Sequence, residues 1–197
     1  MLRFIETIKI ANGLPQNLNF HQKRLEYTIS TFYPNIEPIN LFNISIPDNI
    51  DRNKIYKCRV IYADKIYDIQ FNEYQKKEIQ TLKLIFDNYI DYSFKFEDRS
   101  RLINLYNLRE DCDDILIVKN NLVTDTSYCN IAFYNKGKWI TPKNPLLKGT
   151  KREYLLLINS VIEDNIFFDQ IKFYDKISLF NSMIDLEEIV FPTKNIK

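Results

Sequence analysis

Lys95 stands among aromatics in the stretch YSFKFEDR at residues 92–99. An amine with apolar neighbours can hold its proton less tightly and act as a nucleophile. The same setting also suits a surface lysine whose stem lies along apolar side chains. Asp125 sits in VTDTSYCNIAF at 123–133, where Asp125, Thr126, Ser127 and Asn130 crowd polar groups between two apolar runs. Such a cluster is either a turn with local backbone bonding or a carboxylate held near a polar ligand. The chain has only three glycines, and Gly149 is placed in LLKGTKRE, just before a helical pattern. A glycine there lets Thr150 and Lys151 bring backbone N–H groups close to an anion, although a plain loop-to-helix junction would look the same. Arg59 interrupts the apolar strand YKCRVIY, sharing a face with Lys57 and Ile61. It is either a solvated side chain or an arginine aimed at an anion such as phosphate. His21 and Arg24 lie one helical turn apart, which suits a capping, interface or ion-pair role better than catalysis.

The rest of the composition narrows the chemistry. His21 is the single histidine of the 197 residues, so no zinc site built on several histidines is available. Cys58, Cys112 and Cys129 are odd in number and widely spaced, which indicates neither a disulfide framework nor a metal knuckle. Reduced thiols point to the cytoplasm. A net charge of +1 gives no electrostatic footprint for nucleic acid or an anionic membrane. The first residues lack the apolar core of a signal peptide, and no apolar run is long enough to span a bilayer. Hydrophobic residues at 45% are enough to build a soluble core.

The elements that must position these residues follow from periodicity. Residues 2–10 alternate as a strand, Asn12-Gly13 makes a hairpin turn, and 14–18 read as the return strand. Asn19 caps a helix over about 20–33 with Phe20, Leu25 and Ile29 on one face. A loop with a short helix near 38–45 comes next. Strands are expected at 54–62, 66–74 and 79–86, then a polar-aromatic connector. A short helix near 99–109 precedes strands at 114–119, 121–124, 129–134 and 138–141. A helix over 150–163 and strands at 168–173, 179–184 and 187–192 complete an α+β pattern. We expect a small lobe at 1–90, a connector at 91–98 carrying Lys95, and a larger lobe at 99–197.

Taken in order, FIETIKIANGLPQNLNFHQKRL, YKCRVIY, KFEDR and the segment 113–152 resemble the class IV, or fold-type IV, pyridoxal-phosphate enzymes. The segment 113–152 carries most of the likeness: Asp113-Asp114, Val123-Thr124-Asp125, Asn130, Thr141-Pro142, and Leu147 through Gly149 to Arg152. The resemblance implies a two-lobe fold with pyridoxal 5'-phosphate between lobes, a homodimer and a small-molecule substrate. It makes Lys95 the Schiff-base lysine, with Lys83 as the rival. Arg59 and the amides at Gly149, Thr150 and Lys151 would bind phosphate. Asp125 would face the pyridine nitrogen, and Arg99 would lie near the phenolic oxygen or the substrate. No metal is implied.

The family includes 4-amino-4-deoxychorismate lyases and the branched-chain and D-amino-acid aminotransferases. The short chain and the KFEDR pattern resemble the lyases more closely. Two departures from the family pattern are Asp125 in place of glutamate and a start close to the FIET strand. Both keep a non-catalytic homologue of the same fold as an alternative.

Overall fold

The alternation of residues 2–10 folds as strand β1 (Phe4–Ala11) in the computed structural model, which describes residues 1–37 and 39–197. Asn12 and Gly13 both take left-handed backbone, the geometry a tight hairpin turn requires. The return strand β2 (Leu14–Pro15) is only two residues long and ends at a proline, which has no N–H to donate. Helix α1 (Leu18–Phe32) follows, then β3 (Tyr56–Tyr62) and β4 (Ile66–Glu73). The sheet runs β2-β1-β3-β4 and is antiparallel throughout.

Phe4, Ile8 and Ile10 of β1 pack with Cys58, Val60 and Tyr62 of β3 and with Leu25 and Ile29 of α1. Helix α1 begins two residues earlier than expected. Asn17, in left-handed conformation and without a side-chain cap bond, heads it in place of Asn19. Its buried positions are His21, Leu25, Thr28 and Ile29, so His21 takes the inner place expected for Phe20. Of the short helix expected near 38–45, residue 38 lies outside the described residues. Leu41–Asn43 is one 3-10 turn that buries Leu41.

The chain forms two compact units: Met1–Lys76 with Phe94–Asp98, and Lys77–Ser93 with Arg99–Lys197. This division differs from a simple split near residue 90, for a pairing reason. Strand β5 (Leu82–Phe86) lies parallel to β6 (Asp114–Lys119), which draws residues 77–93 into the second unit. Residues 94–98 join the first unit. The Ile5 N–H donates to the Lys95 carbonyl at 2.9 Å, and the Glu97 N–H to the Arg3 carbonyl at 2.8 Å.

In the second unit α2 (Ser100–Tyr106) lies within the β5–β6 connection, and β7 (Leu122–Thr126) pairs antiparallel to β6. A second sheet follows from β8 (Asn130–Asn135) and β9 (Lys138–Pro142). Helix α3 (Thr150–Leu157) leads to β10 (Ile162–Asp164), then β11 (Lys176–Phe180) and β12 (Ile189–Pro192). The strand order is β10-β9-β8-β11-β12.

Three local expectations change here. Helix α3 stops at Leu157 because Asn159 turns into left-handed backbone, and 162–164 pair with β9 instead. Residues 168–173 form a 3-10 helix and not a strand. The strand expected at 179–184 lies earlier, because the Asn181 carboxamide oxygen accepts the Met183 and Ile184 N–H groups and turns the chain. Among the described residues, no helix is long and apolar enough to cross a membrane.

Candidate active site

The second unit builds its polar centre on Asp125, near the end of β7. The side chain is buried, with one oxygen accepting from Asn130 Nδ2 at 2.8 Å and the other from the Leu147 N–H at 2.9 Å. Burial pushes the carboxyl up to about 6, even though both donors and the charge of Arg152 pull it down. Asn130 also donates to the Leu147 carbonyl at 2.9 Å and so ties β8 to the loop before α3. Its carboxamide oxygen explains Gly149: a Cβ at that position would lie 2.0 Å from it. The glycine is thus required by close approach, a reason that the local sequence did not display. Helix α3 then starts at Thr150 with an extended Gly149 and no side-chain cap. Its first-turn N–H groups are of the kind that binds anions.

The two other motif residues on α3 serve the fold through their side chains. Lys151 is buried and paired with Asp185. Arg152 is buried and donates through Nη2 to the Pro142 carbonyl at 2.9 Å and to Glu163 at 2.7 Å, joining α3, β9 and β10. The acidic pair at the start of β6 is also structural. Asp113 accepts from the N–H groups of Gln80 and Thr81 and from the Thr81 hydroxyl. Asp114 is fully buried. Arg99 donates to the Ser127 carbonyl at 2.7 Å, so it is set beside the turn that follows Asp125.

The first unit holds the remaining candidates. Lys95 is half-buried, and Phe94 and Phe96 on either side pack against Phe32 and Phe4, with ring centroids 4.8 and 5.2 Å apart. The rival Lys83 lies on β5 and is ion-paired with Glu110 at 2.9 Å. Arg59 sits in the middle of β3 opposite Thr7 of β1. Its guanidinium is 3.8 Å from Glu97, which also meets Arg3 at 2.7 Å.

Sequence reasoning did not find the partner of His21 and Arg24. It is Glu6 on β1, fully buried, 2.5 Å from His21 Nδ1 and bound by Arg24 through Nε at 2.8 Å and Nη2 at 2.6 Å. Burial alone would raise the Glu6 pKa, but Arg24 and His21 overcome it and hold the carboxyl at about 2. Burial lowers the His21 pKa, against the pull of Glu6. The charge of Lys95 acts on His21 in the same downward direction, which places the lysine's field on this cluster. Among the described residues, no group of three or more His, Cys, Asp or Glu side chains could hold a metal ion.

The chain is similar to known proteins in sequence and in fold. Residues 98–189 match the family model described as amino-transferase class IV. A crystal structure from Haemophilus somnus 129PT, titled as that of a "putative 4-amino-4-deoxychorismate lyase", is 37% identical with a TM-score of 0.88. That match covers 94% of this chain and 98% of the other. An "Uncharacterized protein" of Haemophilus influenzae is 39% identical over 186 residues, 93% of this chain and 98% of its own length. At 13% identity, a Brucella abortus aminotransferase bound to the cofactor PLP shares the fold with a TM-score of 0.67, covering 96% of this chain and 79% of the other. The chain belongs to the class IV aminotransferase family, whose fold is that of pyridoxal-phosphate-dependent enzymes.

Proposed function

We propose that this protein binds pyridoxal 5'-phosphate and converts 4-amino-4-deoxychorismate to 4-aminobenzoate and pyruvate. The observation that carries the reading is the buried Asp125 carboxylate beside the Gly149–Thr150 helix start. Asp125 has one donor on each oxygen, and its raised pKa marks a carboxylate short of positive partners. A protonated ring nitrogen would supply one, so this donor set fits the cofactor. When bound, pyridoxal phosphate supplies an electron sink for charge developing next to the substrate's amino group.

The chain's own residues do the rest. Asp125 holds the proton on the ring nitrogen. The N–H groups of Thr150 and Lys151, reached past Gly149, bind the phosphate together with Arg59. Lys95 tethers the cofactor and then carries the proton that leaves the substrate ring as pyruvate departs. Arg99 lies beside the cofactor or substrate.

Similarity over nearly the full length of the Haemophilus somnus structure supports the lyase over the aminotransferases. The test is turnover without a keto acid. Purified enzyme given 4-amino-4-deoxychorismate should release pyruvate and 4-aminobenzoate in equal amounts. A requirement for 2-oxoglutarate, with glutamate formed, would make it an aminotransferase. We further propose a homodimer, checked by sedimentation equilibrium, and a cytoplasmic location.

A further inference from the structure

Residues 181–188 join β11 to β12, and the loop is held in shape by its own bonds. The Asn181 carboxamide oxygen accepts the Met183 and Ile184 N–H groups at 2.8 and 3.1 Å, and Met183 and Ile184 are buried. At the far end the Glu187 N–H donates to the Ser178 hydroxyl at 3.0 Å, and the Glu187 carboxylate accepts from Trp139 Nε1 at 3.1 Å.

Two arms leave this loop. Asn181 Nδ2 donates to the Cys129 sulfur at 3.2 Å and, more weakly, to the Tyr128 carbonyl at 3.4 Å. Both acceptors belong to the turn after Asp125, which the Thr126 N–H closes onto the Cys129 carbonyl at 2.9 Å. Further along the loop, the Asp185 carboxylate pairs with the buried Lys151 ammonium in the first turn of α3. Asp125 itself accepts from the Leu147 N–H just before α3. The contacts close a circuit: Asp125 through Leu147 to α3, Lys151 to Asp185, and Asn181 back to the turn beside Asp125. One tie between two elements leaves them free to pivot about it, whereas two ties on separate paths fix their spacing.

We propose that Asn181 and Asp185 are positioning residues that hold the Asp125 carboxylate at a fixed spacing from the phosphate-binding amides of α3. Pyridoxal phosphate presents its ring nitrogen and its phosphate across one small aromatic ring. Its two ends reinforce each other's binding only where both anchors can be engaged at once. The inference rests on the cofactor reading of Asp125 and α3, and not on the reaction catalysed.

Equilibrium binding of three probes tests it without turnover. Inorganic phosphate engages only the anion-binding groups, pyridoxal lacks the phosphate, and pyridoxal 5'-phosphate needs both ends. Asn181→Ala and Asp185→Ala should each weaken pyridoxal 5'-phosphate roughly tenfold in spectroscopic titrations, with pyridoxal unchanged. By calorimetry, inorganic phosphate should bind Asn181→Ala as it binds the parent. It should bind Asp185→Ala no more weakly, because a carboxylate that repels the anion has gone. Asp185→Ala is the sharper variant, since electrostatics alone would tighten the cofactor while lost spacing loosens it. Thermal melts check that each variant is folded, and either one alone carries the test. Cofactor affinity unchanged or raised in either folded variant, or a parallel loss for phosphate or pyridoxal, would overturn the proposal. A parent protein that fails to bind pyridoxal 5'-phosphate would instead remove the cofactor site, and the proposal with it.

Discussion

Two lysines compete for the tether in the proposed chemistry. Lys95 is half-buried between two packed phenylalanines, while Lys83 is held as an ammonium by Glu110. Borohydride treatment of the cofactor-loaded protein should therefore place a pyridoxyl group on Lys95. Lys95→Ala should give no reduced adduct and negligible turnover, whereas Lys83→Ala should retain the adduct and the turnover. Peptide mass spectrometry showing the group on another lysine would move the tether.

The phosphate anchor needs a comparison of two arginines. Arg59 shares its surroundings with Glu97, whereas Arg24 already binds the buried Glu6. Arg59→Ala is expected to weaken cofactor binding roughly ten- to a hundred-fold, a loss of about 1.5–3 kcal/mol. If spectroscopic titration shows that loss in Arg24→Ala and not in Arg59→Ala, Arg24 is the anchor. At this scale the sequence was informative where chemistry is local. The polar cluster around Asp125 is visible in residues 123–133 because its members are neighbours in the chain. Glu6 was invisible as the partner of His21, because their contact depends on how α1 lies on β1, fifteen residues away.

Among the elements, hairpins were legible and helix ends were not. Asn12-Gly13 carries left-handed backbone at both positions, so its turn follows from residue type. The stop of α3 at Leu157 combines the left-handed Asn159 with the parallel pairing of Ile162 to β9. The helical pattern of 150–163 contains no sign of that competition. Gly149 is the element-scale position most open to experiment. In Gly149→Ala the new methyl would meet the Asn130 oxygen at 2.0 Å, so Asn130 must leave Asp125 or α3 must move. Either outcome breaks contacts between a buried carboxylate, Asn130 and the Leu147 backbone. The expected cost is on the order of 1–3 kcal/mol, together with weaker cofactor binding. Thermal melts and the visible absorbance of the bound cofactor measure the two effects. Unchanged values of both would show that the Asn130 side chain has room to turn away.

For the molecule as a whole, near-balanced charge leaves acid stability to a few buried groups. Glu6 is held at about 2 against an ordinary 4.5, so its stabilisation is complete above pH 4.5 and is lost as pH falls towards 2. His21 resists its proton in the fold, so the unfolded chain gains protons first, and stability falls as pH drops below about 6.5. Asp125 acts the other way. Raised from 3.8 to about 6, it destabilises the cofactor-free fold above pH 6, and that penalty is relieved as pH falls from 6 to 4. The relief is on the order of 2–3 kcal/mol and opposes the loss at His21. Between pH 6 and 4 His21 and Asp125 therefore move the urea midpoint of the cofactor-free protein in opposite directions, and below 4 it should fall as Glu6 is protonated. Two variants separate the contributions. Asp125→Asn removes the compensating group, so acidification from 6 to 4 should become destabilising. Glu6→Gln should cost about 3–5 kcal/mol at neutral pH by removing the buried carboxylate that both Arg24 and His21 bind, and should flatten the fall below pH 4. A Glu6→Gln protein with the same acid limb as the parent would remove Glu6 from the account and leave the limb to the exposed carboxylates.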